Sequence, residues 1–128
     1  MNKCRTVAAV SGVYDALVGV LMLGGRPLLA QIFGVALPAP PIHADLNGIF
    51  LLSIAAGYLI PYREPASPGG RAYLWMMGPL LKGTGAVVFV LDYLVRQSPP
   101  SFLLFALSDG TIALLTLAAL LTSSTADA

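Results

Sequence analysis

Charged residues are scarce in this sequence. Asp, Glu, Lys and Arg make up 10% of the 128 residues, whereas 57% are hydrophobic. Soluble domains carry about a quarter charged residues, and a small soluble fold cannot bury this much apolar surface. The net charge of +1 provides no basic patch that would neutralise phosphates. We therefore expect one domain that is embedded in a membrane and binds no nucleic acid.

Cysteine and histidine each occur once, as Cys4 and His43. A lone cysteine excludes an intrachain disulfide and a CxxC redox pair. A lone histidine excludes a bis-histidine haem and argues against a zinc site within one chain. The sequence also lacks a Gly-rich phosphate loop, an HExxH motif and a catalytic serine arrangement. These absences leave enzyme activity uncertain and weigh against it, and they predict no metal and no cofactor.

Apolar residues are instead concentrated in four runs. A hydrocarbon core about 30 Å thick needs roughly 20 helical residues to cross it. Helices suit such segments because they satisfy their own backbone hydrogen bonds in lipid. Asp15 interrupts the first run and no cleavage site follows it, so we interpret that run as a retained span and not a signal peptide. The sequence predicts an all-α integral membrane four-helix bundle, a single transmembrane domain over 1–128, with spans at about 6–23, 44–60, 72–95 and 101–121.

The stretch between the first two spans has a distinct pattern. Its apolar part at 27–34 is too short to cross a membrane, and Pro27 suits a first helical turn. We predict a short interfacial helix there, with a plain hydrophobic loop as the alternative. Pro38, Pro40 and Pro41 then oppose helix until about His43.

Positive residues predict the orientation of the spans. In bacterial membranes, Lys and Arg in short loops favour the cytoplasmic side. Four such residues fall on one side of the predicted topology and two, Arg26 and Arg96, on the other. Tyr58, Tyr62, Tyr73 and Trp75 gather on the four-residue side, as expected of an interfacial aromatic belt. We expect a multi-pass protein of the bacterial inner membrane with both termini in the cytoplasm, the four residues being Lys3, Arg5, Arg63 and Arg71.

Three ionisable residues lie deep within the predicted spans. At the rise of an α-helix, Asp15, Lys82 and Asp109 lie roughly 14, 15 and 20 Å from the cytoplasmic face. Ionisable groups at that depth are costly unless they are paired. The residues therefore predict a buried charge cluster, either a structural ion pair or a proton, ion or ligand site. Pro79 precedes Lys82 and predicts a kink beside it.

A second polar group is predicted at the outer membrane edge. We expect Asp45 to cap the second span and Asp92 to pair with Arg96 at i, i+4 spacing. A quinone or lipid headgroup site that uses His43 is the alternative. The group comprises His43, Asp45, Asn47, Asp92 and Arg96.

Several short motifs resemble those of the DoxX-like small four-span bacterial membrane proteins. The likeness covers nearly the whole chain and implies a four-helix bundle. That family includes subunits of membrane oxidoreductases, so the resemblance permits a subunit role without assigning a reaction. The motifs are Gly12-Val13-Tyr14-Asp15 with Gly19, Phe33-Gly34, Gly57-Tyr58-Leu59 and Ala106-Leu107-Ser108-Asp109-Gly110.

Three functions follow as hypotheses. The first is a non-catalytic accessory or structural subunit of a larger respiratory or photosynthetic membrane complex, because short loops leave no soluble domain. The second is a small oligomeric proton-coupled transporter that uses Asp15, similar to small multidrug-resistance exporters. Lys82 at the same depth would compete with a cationic substrate there. The third is a quinone- or lipid-binding subunit of a membrane oxidoreductase centred on His43 and Asp45.

Overall fold

A computed structural model of the protein describes residues 2–123, and this part of the chain is all-helical. Four of its helices are long and apolar enough to span a membrane, as the sequence predicted. Met1 and residues 124–128 of the predicted domain lie outside the described residues. The helices are α1 (Lys3–Gly24), α2 (Arg26–Phe33), α3 (Ile42–Arg63), α4 (Pro68–Arg96) and α5 (Pro100–Thr122).

The long helices extend beyond the predicted spans at their polar ends. The largest difference is α4, which begins at Pro68 and not near residue 72. Pro68 occupies the first turn, where its missing N–H costs nothing, and the Ser67 side chain accepts a hydrogen bond from the Gly70 N–H at 3.0 Å. Hydropathy marks only the apolar part of a helix, whereas capping groups decide where it starts.

Prolines modify two of the long helices internally. Pro79 has no N–H for the Trp75 carbonyl, and the segment Met76–Lys82 adopts π-helical geometry between α-helical stretches of α4. In α3, Pro61 likewise leaves the Gly57 carbonyl without its usual donor, and a turn at Tyr58 interrupts the α-helix. The bundle therefore contains wide or broken turns on two neighbouring helices.

Small residues bring the helices together. A Cβ built at Gly19 of α1 would lie 3.0 Å from the Gly48 carbonyl oxygen, so α1 and α3 cross closely there. Helix α1 also packs on α5, and α5 packs on α4. The apolar core lies near the end of the bundle where α1 begins and α5 ends, and Cys4, Leu74 and Leu120 are buried together there.

A short helix forms between the first two long helices. The sequence predicted it at 27–34, and the structure has it at Arg26–Phe33. It ends at Gly34, whose φ of 62° is left-handed and favours glycine. The Ser101 hydroxyl donates to the Phe33 carbonyl at 2.7 Å, which ties the end of α2 to the start of α5. Its location at a membrane interface stays a prediction.

Candidate functional site: a buried charge triad beneath an aromatic cleft

The structure brings Asp15, Lys82 and Asp109 together from three helices. Lys82 Nζ lies 2.5 Å from Asp15 Oδ1 and 3.5 Å from Asp109 Oδ1. The Asp15 and Lys82 side chains are 1% and 6% exposed, whereas that of Asp109 is 19% exposed. Lys82 therefore forms a tight, buried pair with Asp15 and a longer, more open contact with Asp109. We call these three residues the triad.

The π-helical segment of α4 positions Lys82. Lys82 is the last residue of Met76–Lys82, and Gly78 of the same segment is buried against α5. A Cβ at Gly78 would lie 2.5 Å from Thr116 Cγ2, so this part of α4 sits unusually close to α5. π-helical turns occur often at functional sites because they re-aim the side chains that follow. Here the π-helical turn places Lys82 inside the bundle, between Asp15 and Asp109.

Tyr14 and Ser108 surround the triad and were not among the predicted site residues. The Ser108 hydroxyl lies 2.9 Å from the Leu104 carbonyl and 2.7 Å from the Tyr14 hydroxyl, and either hydroxyl can donate in the second of these bonds. The Tyr14 hydroxyl also interacts with the Asp109 carboxylate. Lys82 Nζ also lies 4.9 Å from the centre of the Tyr14 ring, within cation–π range. Tyr14 and Ser108 each directly precede an acid of the triad in the sequence, and this adjacency is the signal that points to them.

Buried polar atoms continue from the triad toward α3. Ser11 lies one turn before Asp15 on the buried face of α1, and Tyr58 of α3 is close enough to Asp15 to interact electrostatically. Among residues 2–123, Ser11 Oγ, Asp15 Oδ2 and Tyr58 Oη are buried without a partner at full hydrogen-bond geometry, although the Ser11 and Tyr58 hydroxyls are close enough to interact with each other. Unsatisfied buried polar atoms are rare in native proteins. The polar environment of Asp15 thus extends beyond its pair with Lys82.

A cleft of about 320 Å³ opens above the triad. Helices α3 and α4 meet near the loop that joins them, where the Tyr58 and Tyr73 rings stand edge to face with centroids 5.2 Å apart. Beyond that contact the two helices diverge, and the cleft lies between them. Its base is formed by the triad and Tyr14, and its walls include the aromatic side chains Phe50, Phe89 and Phe105.

The predicted outer-edge residues form two separate ion pairs and not one group, because Asp45 pairs with Arg26 and Asp92 pairs with Arg96. The prediction that Asp45 caps its helix is wrong, because the helix begins at Ile42 and Asp45 lies within its first turn. The Asp45 carboxylate instead accepts a hydrogen bond from Arg26 and forms an ion pair with it. His43 is exposed, and Asn47 is exposed at the rim of the cleft.

Asp92 and Arg96 form the second part of that outer-edge group. Arg96 Nη1 lies 3.1 Å from Asp92 Oδ1 at the predicted i, i+4 spacing. The Ser98 hydroxyl donates to the other carboxylate oxygen of Asp92. Sequence reasoning missed both Arg26 and Ser98 as partners. Arg26 meets Asp45 only through the tertiary fold, and Ser98 meets Asp92 across the end of α4, so neither contact has helical spacing.

Comparison with protein-family models, with curated proteins and with solved structures found no match to this chain. The resemblance to DoxX-like proteins accordingly stays a prediction.

Proposed function

We propose that α1, α3, α4 and α5 cross a bilayer as a four-helix bundle. The four helices contain 22, 22, 29 and 23 residues, and about 20 suffice to cross the hydrocarbon core. In the 18-residue apolar stretch of each helix, no more than 28% of the residues are buried inside the protein. The remaining apolar surface faces outward on every side, with Leu94, Leu107 and Leu114 each about two-thirds exposed. Lipid is the solvent that suits such a surface.

We propose that the bundle lies in the inner membrane of a bacterial cell and that both of its termini face the cytoplasm. Arg5 donates to the Tyr62 carbonyl at 2.9 Å and lies over the Tyr62 ring. Arg71 donates to the Leu120 carbonyl at 3.0 Å. Arg5 and Arg71 therefore lie at the end of the bundle where α1 begins and α5 ends. The positive-inside rule assigns an end that is rich in basic residues to the cytoplasm.

Helix α2 suits the opposite interface. Its Leu28 and Ile32 side chains are half-exposed, and Phe33 stacks on Phe105 with ring centroids 4.8 Å apart. An amphipathic helix of this kind lies along a membrane with its apolar face in the acyl region. The Arg26–Asp45 ion pair would then lie at the level of the headgroups.

We propose that the protein acts as a non-catalytic structural subunit of a larger membrane complex. The buried Asp15–Lys82 pair carries this proposal, because it fixes the rotation and register of α1 against α4. In lipid, a bundle fixed in this way presents constant outer faces on which partner helices can pack. One such face is the groove of about 460 Å³ between α1 and α5, lined in part by the small residues Thr6, Ala118 and Ala119.

Purification of the tagged chain in mild detergent from its native host tests this role. We expect the chain to elute with a larger assembly. Lys82→Ala should abolish incorporation, because it leaves Asp15 buried and unpaired. Lys3→Ala is the matched control, since Lys3 is the other lysine of the chain and is exposed. A chain that elutes alone, or full incorporation of Lys82→Ala, would contradict the proposal.

The other two hypotheses have less support from the geometry. An exporter that binds its substrate through Asp15 needs that carboxylate accessible, yet Asp15 is 1% exposed and paired with Lys82. A quinone site centred on His43 and Asp45 needs both groups free to act together. Asp45 is engaged by Arg26, and His43 is exposed at the start of α3.

A further inference from the structure

We propose that the cleft between α3 and α4 binds an organic monocation, an ammonium group on a small apolar body, with the ammonium paired to Asp109. This binding site is independent of the subunit role proposed above. It rests on three features of the cleft: the surplus charge at its base, the aromatic side chains of its walls, and the donors and acceptors that its base leaves available.

The charge of the triad is unbalanced. Two carboxylates face one ammonium group, so the fully ionised triad carries a surplus negative charge. Lys82 is closer to Asp15 than to Asp109, and Asp15 is the more deeply buried acid. The surplus therefore lies on Asp109, whose side chain is 19% exposed and lines the cleft. A carboxylate at mid-membrane depth that shares its one cationic partner with a second acid is costly, and a bound cation reduces that cost.

The walls of the cleft suit an aromatic or aliphatic ammonium. Phe105 lies one turn before Asp109, and its ring stacks on both Phe33 and Phe89, with centroids 4.8 and 5.3 Å apart. The rings left to contact a cation are therefore those of Phe89 and Phe50. Phe50 lines the cleft from α3. Aromatic faces attract cations and also accommodate apolar groups. The cavity of about 320 Å³ is at the small end of the range for ligand pockets, roughly 300–1,000 Å³, so the ligand is small.

The hydrogen-bonding groups at the base favour a cation over a neutral acceptor. Asp15 Oδ2 is a buried acceptor without a hydrogen-bond partner, whereas two of the three N–H groups of Lys82 are engaged by the carboxylates. A ligand that only accepts hydrogen bonds can use just the third Lys82 N–H, and it leaves the surplus negative charge in place. An ammonium brings its own donors to Asp109 and also neutralises that charge.

Calorimetric titration of the full chain in a non-ionic detergent tests the site with two probes of matched size. Phenethylammonium carries the charge, and phenethyl alcohol does not. We expect the ammonium to bind about tenfold more tightly or better, because a charged hydrogen-bonded pair is formed only with it. Equal affinity for the two probes would overturn the proposal and identify the cleft as an apolar groove for neutral lipid.

Variants locate the site within the chain. Asp109→Asn should weaken phenethylammonium binding about tenfold or more. Asp92→Asn, an acid outside the cleft, should leave it unchanged. Unchanged binding to a folded Asp109→Asn protein would overturn the proposal. Absence of binding to the unaltered chain would overturn it as well.

A second variant keeps the proposal testable if Asp109→Asn does not fold. Phe89→Leu keeps an apolar side chain, although a smaller one, and removes an aromatic wall, so it should weaken binding of the ammonium more than that of the alcohol. An equal effect on both probes would contradict the assigned role of the aromatic walls. None of these readouts depends on assembly into a complex, so this proposal and the subunit proposal fail separately.

Discussion

Gly78 and Thr116 approach so closely that a single added methyl group would collide with the neighbouring helix. A Cβ at Gly78 would lie 2.5 Å from Thr116 Cγ2 and 2.8 Å from Thr116 Cβ. Thr116 cannot easily give way, because it is buried and its hydroxyl donates to the Ile112 carbonyl at 2.8 Å. This approach of α4 to α5 lies one turn from Lys82 and holds the π-helical segment against the bundle.

Gly78→Ala should therefore destabilise the protein by about 1–3 kcal/mol through overpacking. Gly85→Ala is the matched control on the same helix, because a Cβ there meets nothing within 4 Å. Unfolding in mixed detergent micelles, followed by circular dichroism, measures both variants. Equal stability of the two would contradict the close packing of α4 on α5.

The two acids of the triad should couple unequally to Lys82. Lys82→Met leaves a buried carboxylate unpaired, which costs about 3–5 kcal/mol. In double-mutant cycles, the coupling of Lys82→Met with Asp15→Asn should exceed its coupling with Asp109→Asn. The reason is the shorter distance to Asp15, 2.5 Å against 3.5 Å, and its deeper burial. Equilibrium unfolding of each single and double variant gives the couplings, and equal values would refute the assignment of Asp15 as the paired acid.

Tyr73→Phe should destabilise the junction of α3 and α4. The Tyr73 hydroxyl donates to the Ile54 carbonyl at 2.6 Å in a partly buried setting. Loss of this bond is worth about 0.5–1.5 kcal/mol. Tyr62→Phe removes an exposed hydroxyl and should change stability by less than about 0.5 kcal/mol. Thermal unfolding of both variants checks this prediction. A larger loss of stability for Tyr62→Phe than for Tyr73→Phe would contradict it.

The orientation predicts the labelling of introduced cysteines. Cys4 is the only cysteine and is 1% exposed, so Cys4→Ala provides a background without reactive thiols. On intact cells, a membrane-impermeant maleimide should label Leu37→Cys, between α2 and α3, and should not label Glu64→Cys. Both positions are exposed at the protein surface. Labelling of Glu64→Cys should require lysis, and the opposite pattern would invert the proposed topology.

Much of the fold followed from the chain itself. The length and hydropathy of the four apolar runs predict the long helices, since a continuous apolar segment must satisfy its own backbone groups. The depths of Asp15, Lys82 and Asp109 also follow from sequence, because helical rise per residue converts position into height. The prediction failed at Asp45, where a tertiary ion pair with Arg26 took the place of a local cap.

Sequence therefore determined which residues stand at the same height in this protein, and tertiary structure decided which of them meet. Height depends on counting residues along a helix, whereas contact depends on rotation about the helix axis and on which helices are neighbours. The π-helical segment at Pro79 and the close approaches at Gly19 and Gly78 set those rotations. They place Lys82 against Asp15, leave Asp109 at the base of the cleft, and separate α3 from α4 above it.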